Sequence, residues 1–140
     1  MNPTLQAFGY PDTLIKEYDH WVALLRPTQV TAGSLVLAEK SDAKHLGEVS
    51  GEVWSEFATV SEEMEKLVRT AFGAEKFNYL ALMMKDPNVH FHFIPRYSQG
   101  VEVGEQTLVD ADWPKKTEMK PIEISDEVLA EIKQKLLANA

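Results

Sequence analysis

The chain has 140 residues, one domain's worth, with 14 Lys and Arg against 22 Asp and Glu, a net charge of −8. There is no cysteine, which excludes disulfides, thiolate nucleophiles and Cys-ligated zinc or iron–sulfur sites. An acidic surface disfavours long nucleic acid and anionic membranes, while 44% apolar residues argue against disorder.

In chain order, residues 1–18 lack a basic start followed by an apolar run, so no export signal is expected. No apolar stretch is long enough to span a bilayer, and with the absence of Cys this points to the cytoplasm. Thr13 to Asp19 reads as a short helical turn. His20 to Arg26 is a dense apolar run, better read as a buried strand than an alternating one. Pro27 stops it, and Gly33 to Ala38 follows as a second strand of an antiparallel pair.

Gly51 to Phe72 is the clearest helix. Val53, Phe57, Val60, Met64, Leu67 and Ala71 recur at spacings of three and four. Ser50 caps it, Val49 and Trp54 can form a staple, and Gly73 suits a left-handed stop. Early Glu52 and Glu56 and late Lys66 and Arg69 fit the helix dipole.

Phe77 to Met84 is apolar on both faces and reads as a central strand. The turn Lys85 to Asn88 then implies a hairpin into the strand Val89 to Tyr97. Gln106 to Val109 adds an edge strand. Ser125 caps a last helix to about Ala138, with Val128, Leu129, Ile132 and Leu136 on one face.

The fold class is therefore α+β: a roughly five-stranded antiparallel sheet, one long helix and a C-terminal helix. Residues 1–140 form a single domain, with a core over about 13–110 and a helical extension over about 125–139.

One segment carries chemistry. In Asn88-Val-His90-Phe-His92-Phe-Ile-Pro-Arg96, strand alternation puts Asn88, His90, His92 and Ile94 on one face. Val89, Phe91 and Phe93 then point the other way, toward the long helix. The imidazoles lie about 7 Å apart at Cβ, from a rise of about 3.3 Å per residue. A lone histidine on an apolar strand is ordinarily a packed core residue. Two on one face, between Asn and Arg, can divide nucleophilic and proton-transfer roles. His-x-His is also a metal-site pattern; a third ligand would have to come from His20, His45, Asp86 or Glu102, and no spacing completes a set. Arg96 and Lys85 read as solvated charges, as does the cluster from Lys115 to Lys120, which Asp110, Asp112 and Glu118 neutralise. A phosphate contact by Arg96 would need a bend in the strand.

This segment resembles the histidine triad family of nucleotide hydrolases and transferases, whose motif is His-φ-His-φ-His-φ-φ, with φ hydrophobic, often followed by Pro-Arg. Here every φ matches and two of three histidines do, Asn88 standing at the first. Leu25-Arg-Pro-Thr-Gln29 with Gly33-Ser-Leu-Val-Leu37 is similar to the family's first hairpin. Phe77 to Pro87 is similar to the strand and turn before the triad, and the likeness spans about residues 20–97. The resemblance implies that His90 is the nucleophile toward the α-phosphorus of a nucleoside phosphate or dinucleoside polyphosphate, and that His92 binds and polarises the phosphate. It also implies a homodimer. Asn88 is expected to support the site and contact substrate, and no metal or other cofactor is expected. Gln29 and Arg26, at the first hairpin, either line the nucleoside pocket or serve as turn and strand-end residues. Arg26 stands where relatives contact the ribose through Asn or Asp, and Met83-Met84-Lys85 stands where many have a Gly-rich loop. Asn88 cannot titrate, so a nucleotide-binding protein with little turnover is the second expectation, and a His-x-His metalloprotein the third.

Overall fold

The computed structural model describes residues 2–140. The elements are α1 (Pro3–Ala7), β1 (Leu14–Glu17), β2 (Trp21–Leu25), β3 (Leu35–Glu39), α2 (Gly51–Phe72), β4 (Lys76–Leu80), β5 (His90–Arg96), β6 (Val101–Val103), β7 (Gln106–Leu108) and α3 (Asp126–Asn139). Five strands form an antiparallel sheet in the order β1-β2-β3-β5-β4, and β6 with β7 forms a separate hairpin. The α+β class and the five-stranded antiparallel sheet are those read from the sequence.

Three strands differ from that reading. Thr13 to Asp19 is not a helical turn: Leu14, Lys16 and Glu17 pair with Leu24, Ala23 and Val22, and the edge of β2 supplies the partner that local propensity omits. Gln106 to Leu108 stays outside the main sheet and pairs with β6. Phe77 to Met84 is also corrected: the strand ends at Leu80 and lies at the edge, not the centre. It is apolar on both faces because Phe77 stacks on Phe93 and Tyr79 meets it edge to face, while Leu80 sits beside His92 on the other side.

β2 and β3 are buried throughout because both faces of the sheet are covered. On one face Trp21, Leu35, Leu37 and Phe93 pack with the α2 stripe of Val60, Met64, Leu67 and Val68. Phe57 links helix to sheet, 4.6 Å from Trp21 and 4.9 Å from Phe91 between ring centroids. Ser50 accepts the Val53 N–H at the start of α2, and Gly73 ends it at φ 76°. The Ser125 side chain caps α3, which packs on α2 through an inner face of Val128, Ile132 and Leu136. On the opposite face Val22, Leu24, Val36 and Ala38 pack under Leu5 and Phe8 of the N-terminal segment.

That segment is held by side chains. Pro3 begins α1, where its missing N–H costs nothing. Asn2 caps the helix through Oδ1, and its Nδ2 donates to the carbonyls of Glu39 and Ser41 at the end of β3.

Candidate functional site

The site lies on the sheet face under α1, not the face under α2. His90 and His92 both stand there, because side chains of β5 alternate and Phe91 and Phe93 take the helix side. Both are buried, 2% and 8% exposed. Their rings meet edge to face at 5.0 Å, and Phe8 covers both at 5.5 and 5.8 Å.

His90 Nδ1 lies 2.7 Å from the carbonyl oxygen of Asn88. A carbonyl only accepts, so Nδ1 carries the proton and donates it, and Nε2 keeps its lone pair. That is the tautomer a nucleophilic imidazole requires. His92 is different: its Nδ1 is buried without a partner among the described residues. Burial, then the neighbouring His90, then the Arg26 charge push its pKa down to about 4, against a smaller pull upward from Asp86. At neutral pH His92 is therefore an uncharged imidazole.

Asn88 is 2% exposed and engaged on every side. Its Oδ1 accepts the Thr4 hydroxyl at 3.0 Å, its N–H donates to Thr4 Oγ1 at 3.0 Å, and its Nδ2 donates to the Asp42 carbonyl at 3.1 Å. The residue at the first triad position thus fastens α1 to the strand and presents its carbonyl to His90. Thr4 was not legible as a site residue; the capped Asn2-Pro3 start next to it was the available signal.

Gln29 belongs to the β2–β3 turn. Its Nε2 donates to the carbonyls of Arg26 and Ser34, and its Oε1 accepts from the N–H groups of Gly33 and Ser34. Fully buried and with all four bonds made, it has no group left for a substrate. The turn it holds includes Gly33, at φ +83°, where an added Cβ would press Val68 at 3.0 Å.

Arg26 does belong to the histidine face. Its N–H bonds the Ser34 carbonyl, which continues the β2–β3 pairing by one residue beyond Leu25, and its charge reaches His92. Arg96, read as a solvated charge, is instead buried. Nε and Nη2 grip the Asp110 carboxylate at 2.7 and 3.2 Å, Nη1 donates to Asn78 and Nη2 to the Lys115 carbonyl. Asp110 likewise is an ion-pair partner rather than a solvated neutraliser. Both are structural, and their separation of 14 residues hid the pair.

A cavity of about 150 Å³ opens beside the histidines, walled by Leu82 to Asp86. Met83 there adopts φ 43°, a left-handed backbone that glycine takes more easily. Among the described residues no three His, Asp or Glu side chains are grouped to hold a metal, and no helix is long and apolar enough to cross a membrane.

No family model matches the sequence, and no curated protein does. Solved structures do match. A histidine triad protein from Marinobacter aquaeolei VT8 superimposes with TM-score 0.74 at 22% identity, over 99% of this chain and 93% of that one. One from Sinorhizobium meliloti 1021 gives TM-score 0.75 at 19% identity, over 100% and 96%. A hypothetical histidine triad nucleotide-binding protein from Sulfolobus tokodaii strain 7 gives 0.68 at 17%, over 91% and 82%. With the alternating His90 and His92 on its fourth sheet position and the helix behind, this chain has the histidine triad fold.

Proposed function

We propose that the protein is a nucleotide hydrolase or nucleotidyl transferase working through a nucleotidyl-histidine intermediate on His90. The observation that carries this is the 2.7 Å bond from His90 Nδ1 to the Asn88 carbonyl, which leaves the Nε2 lone pair unprotonated on a buried ring that lines the cavity. The substrate is a nucleoside phosphate, a phosphoramidate or a dinucleoside polyphosphate. Nε2 attacks the α-phosphorus, the N–P bond forms, and the bond to the leaving group breaks with its electron pair. The ring then carries positive charge, which the Asn88 carbonyl stabilises through Nδ1–H. Water, or another hydroxyl acceptor, attacks phosphorus next and gives up a proton, balancing the one the departed leaving group takes from solvent; the N–P bond breaks, the nucleotide is released and the lone pair returns to Nε2. His92, uncharged beside it, offers hydrogen bonding to the phosphate without repelling the cationic intermediate.

Two measurements test this. Denatured protein quenched during turnover of adenosine phosphoramidate gains the mass of one adenylate, on the peptide holding His90. His90→Ala loses at least about a thousandfold in kcat. Wild-type rates in that variant would sink the assignment.

A second reading has its own observation. Asn88 cannot titrate and is wholly engaged with Thr4 and Asp42. The site then binds nucleotide but releases it unchanged. Calorimetric binding of AMP with no product from any of the three substrate classes favours this reading over turnover. In either case we take the working form to be a cytoplasmic homodimer; its support is the unpaired outer edge of β4 and the Cys-free composition.

A further inference from the structure

Two buried side-chain nitrogens are without a hydrogen-bond partner among the described residues: Arg26 Nε and His92 Nδ1. Buried polar groups are nearly always satisfied, so such atoms call for an explanation. These two lie on one face of the sheet. Leu24, Val36 and His92 stand in one row across β2, β3 and β5. Arg26 is one same-face step further along β2, opposite Ser34. Two strand spacings across and one step along put the two Cα atoms about 12 Å apart, and the Arg26 charge is felt at His92.

The guanidinium is also prepared. Arg26 Nη1 donates to the Thr28 carbonyl at 2.7 Å and to Thr28 Oγ1 at 2.6 Å. This anchors one nitrogen and turns the Nε–Nη2 edge free, with no bond from either among the described residues. Arg96 shows what that edge does in this same chain: its Nε and Nη2 hold both oxygens of the Asp110 carboxylate. A tetrahedral phosphate offers the same pair of acceptors. Carboxylates are plentiful here, 22 in all, yet among the described residues none pairs with Arg26. Arg26 is half-buried, with Nε shielded from water, and a cation partly withdrawn from solvent without a counter-ion favours a bound anion.

We propose that Arg26, on the same sheet face as His92, is the specificity-determining residue that selects nucleotides carrying a second phosphate besides the one attacked by His90. This rests on the nucleotide reading of the site. It also accounts for how an anion settles on a chain of charge −8: a fixed local cation opposes the overall field. The second phosphate has two possible sources, a phosphorylated sugar or the next phosphate of a polyphosphate chain. Either presents the oxygens that the free edge takes.

Calorimetry with AMP, ADP and adenosine 3′,5′-bisphosphate tests it. Wild type binds at least one of the two doubly phosphorylated ligands about ten- to a hundredfold more tightly than AMP. Preference for ADP identifies the polyphosphate chain, and preference for the bisphosphate identifies the sugar. In Arg26→Gln that preference ratio falls toward one. Arg26→Lys keeps the charge without the two-pronged edge and gives an intermediate ratio, and it carries the test should the Gln variant not fold by circular dichroism. Equal wild-type affinity for all three ligands, or an unchanged ratio in the folded variants, overturns the inference while the nucleotide site stands. Failure of wild type to bind any of the three overturns the nucleotide reading, and the inference with it.

Discussion

At the residue scale, the two buried histidines differ in hydrogen bonding and charge state. His90 has its Nδ1 satisfied by the Asn88 carbonyl, whereas His92 has its own Nδ1 unpartnered and its pKa near 4. An unfolded histidine titrates near 6.5. Between pH 6.5 and about 4 the unfolded chain takes a proton that folded His92 refuses, so stability falls as pH drops through that window and levels off below it. Urea midpoints of wild type and His92→Gln, measured from about pH 7 to pH 4, should show wild type losing more. A midpoint difference that stays constant with pH would contradict the burial of a neutral imidazole. Arg96 illustrates the opposite use of a charge. Its pair with Asp110 is about 95% buried on both sides, so removing either partner strands the other. Arg96→Ala and Asp110→Ala should each cost about 3–5 kcal/mol, and the double variant much less than their sum. Additive losses in a denaturation cycle would mean that the two side chains act independently.

At the element scale, what was legible in the sequence is what local pattern encodes. The stripe and caps of α2, the Ser125 cap of α3 and the alternation of β5 all lie within a few residues of each other, and the structure reproduces their bounds closely. Elements defined by distant partners were not legible. β1 looks like a turn until the edge of β2 pairs with it, and β4 looks central until the sheet order places it last. The site divides in the same way. Strand alternation alone puts His90 and His92 together, but Gln29 spends its amide on its own turn and Thr4 reaches Asn88 across 84 residues. That last contact makes α1 part of the site rather than a terminal appendage. Thr4→Val removes the donor to Asn88 Oδ1 and the acceptor for its N–H, two buried bonds worth about 1–3 kcal/mol in penalty. Because the Asn88 carbonyl orients His90, the expected kinetic signature is a fall in kcat with KM little changed. Thr4→Ser keeps the hydroxyl and should restore kcat. A valine variant that loses stability but keeps kcat would confine α1 to a structural role.

At the scale of the whole molecule, the sheet has an open side. β4 pairs with β5 alone, and just beyond it Leu82 and Met84 are 56% and 81% exposed. An unpaired strand beside exposed apolar side chains is a docking edge unless something guards it, and Lys76 is the single charge on β4. A second copy pairing edge to edge would extend the sheet across both protomers and cover those side chains. Sedimentation equilibrium should then give twice 15.8 kDa, and a variant with Leu82→Glu and Met84→Glu should run as a folded monomer. Charge supplies a further check on what drives the association. Each protomer carries −8, so two of them repel over about 10 Å at 0.1 M ionic strength. Strand pairing and apolar burial are indifferent to that screening, whereas ion pairs across the interface are weakened by it. Raising the salt from low to physiological should therefore tighten the dimer. Weakening with salt would assign the interface to charge pairs instead of the β4 edge, and a wild-type mass of one protomer at every soluble concentration would remove the dimer altogether.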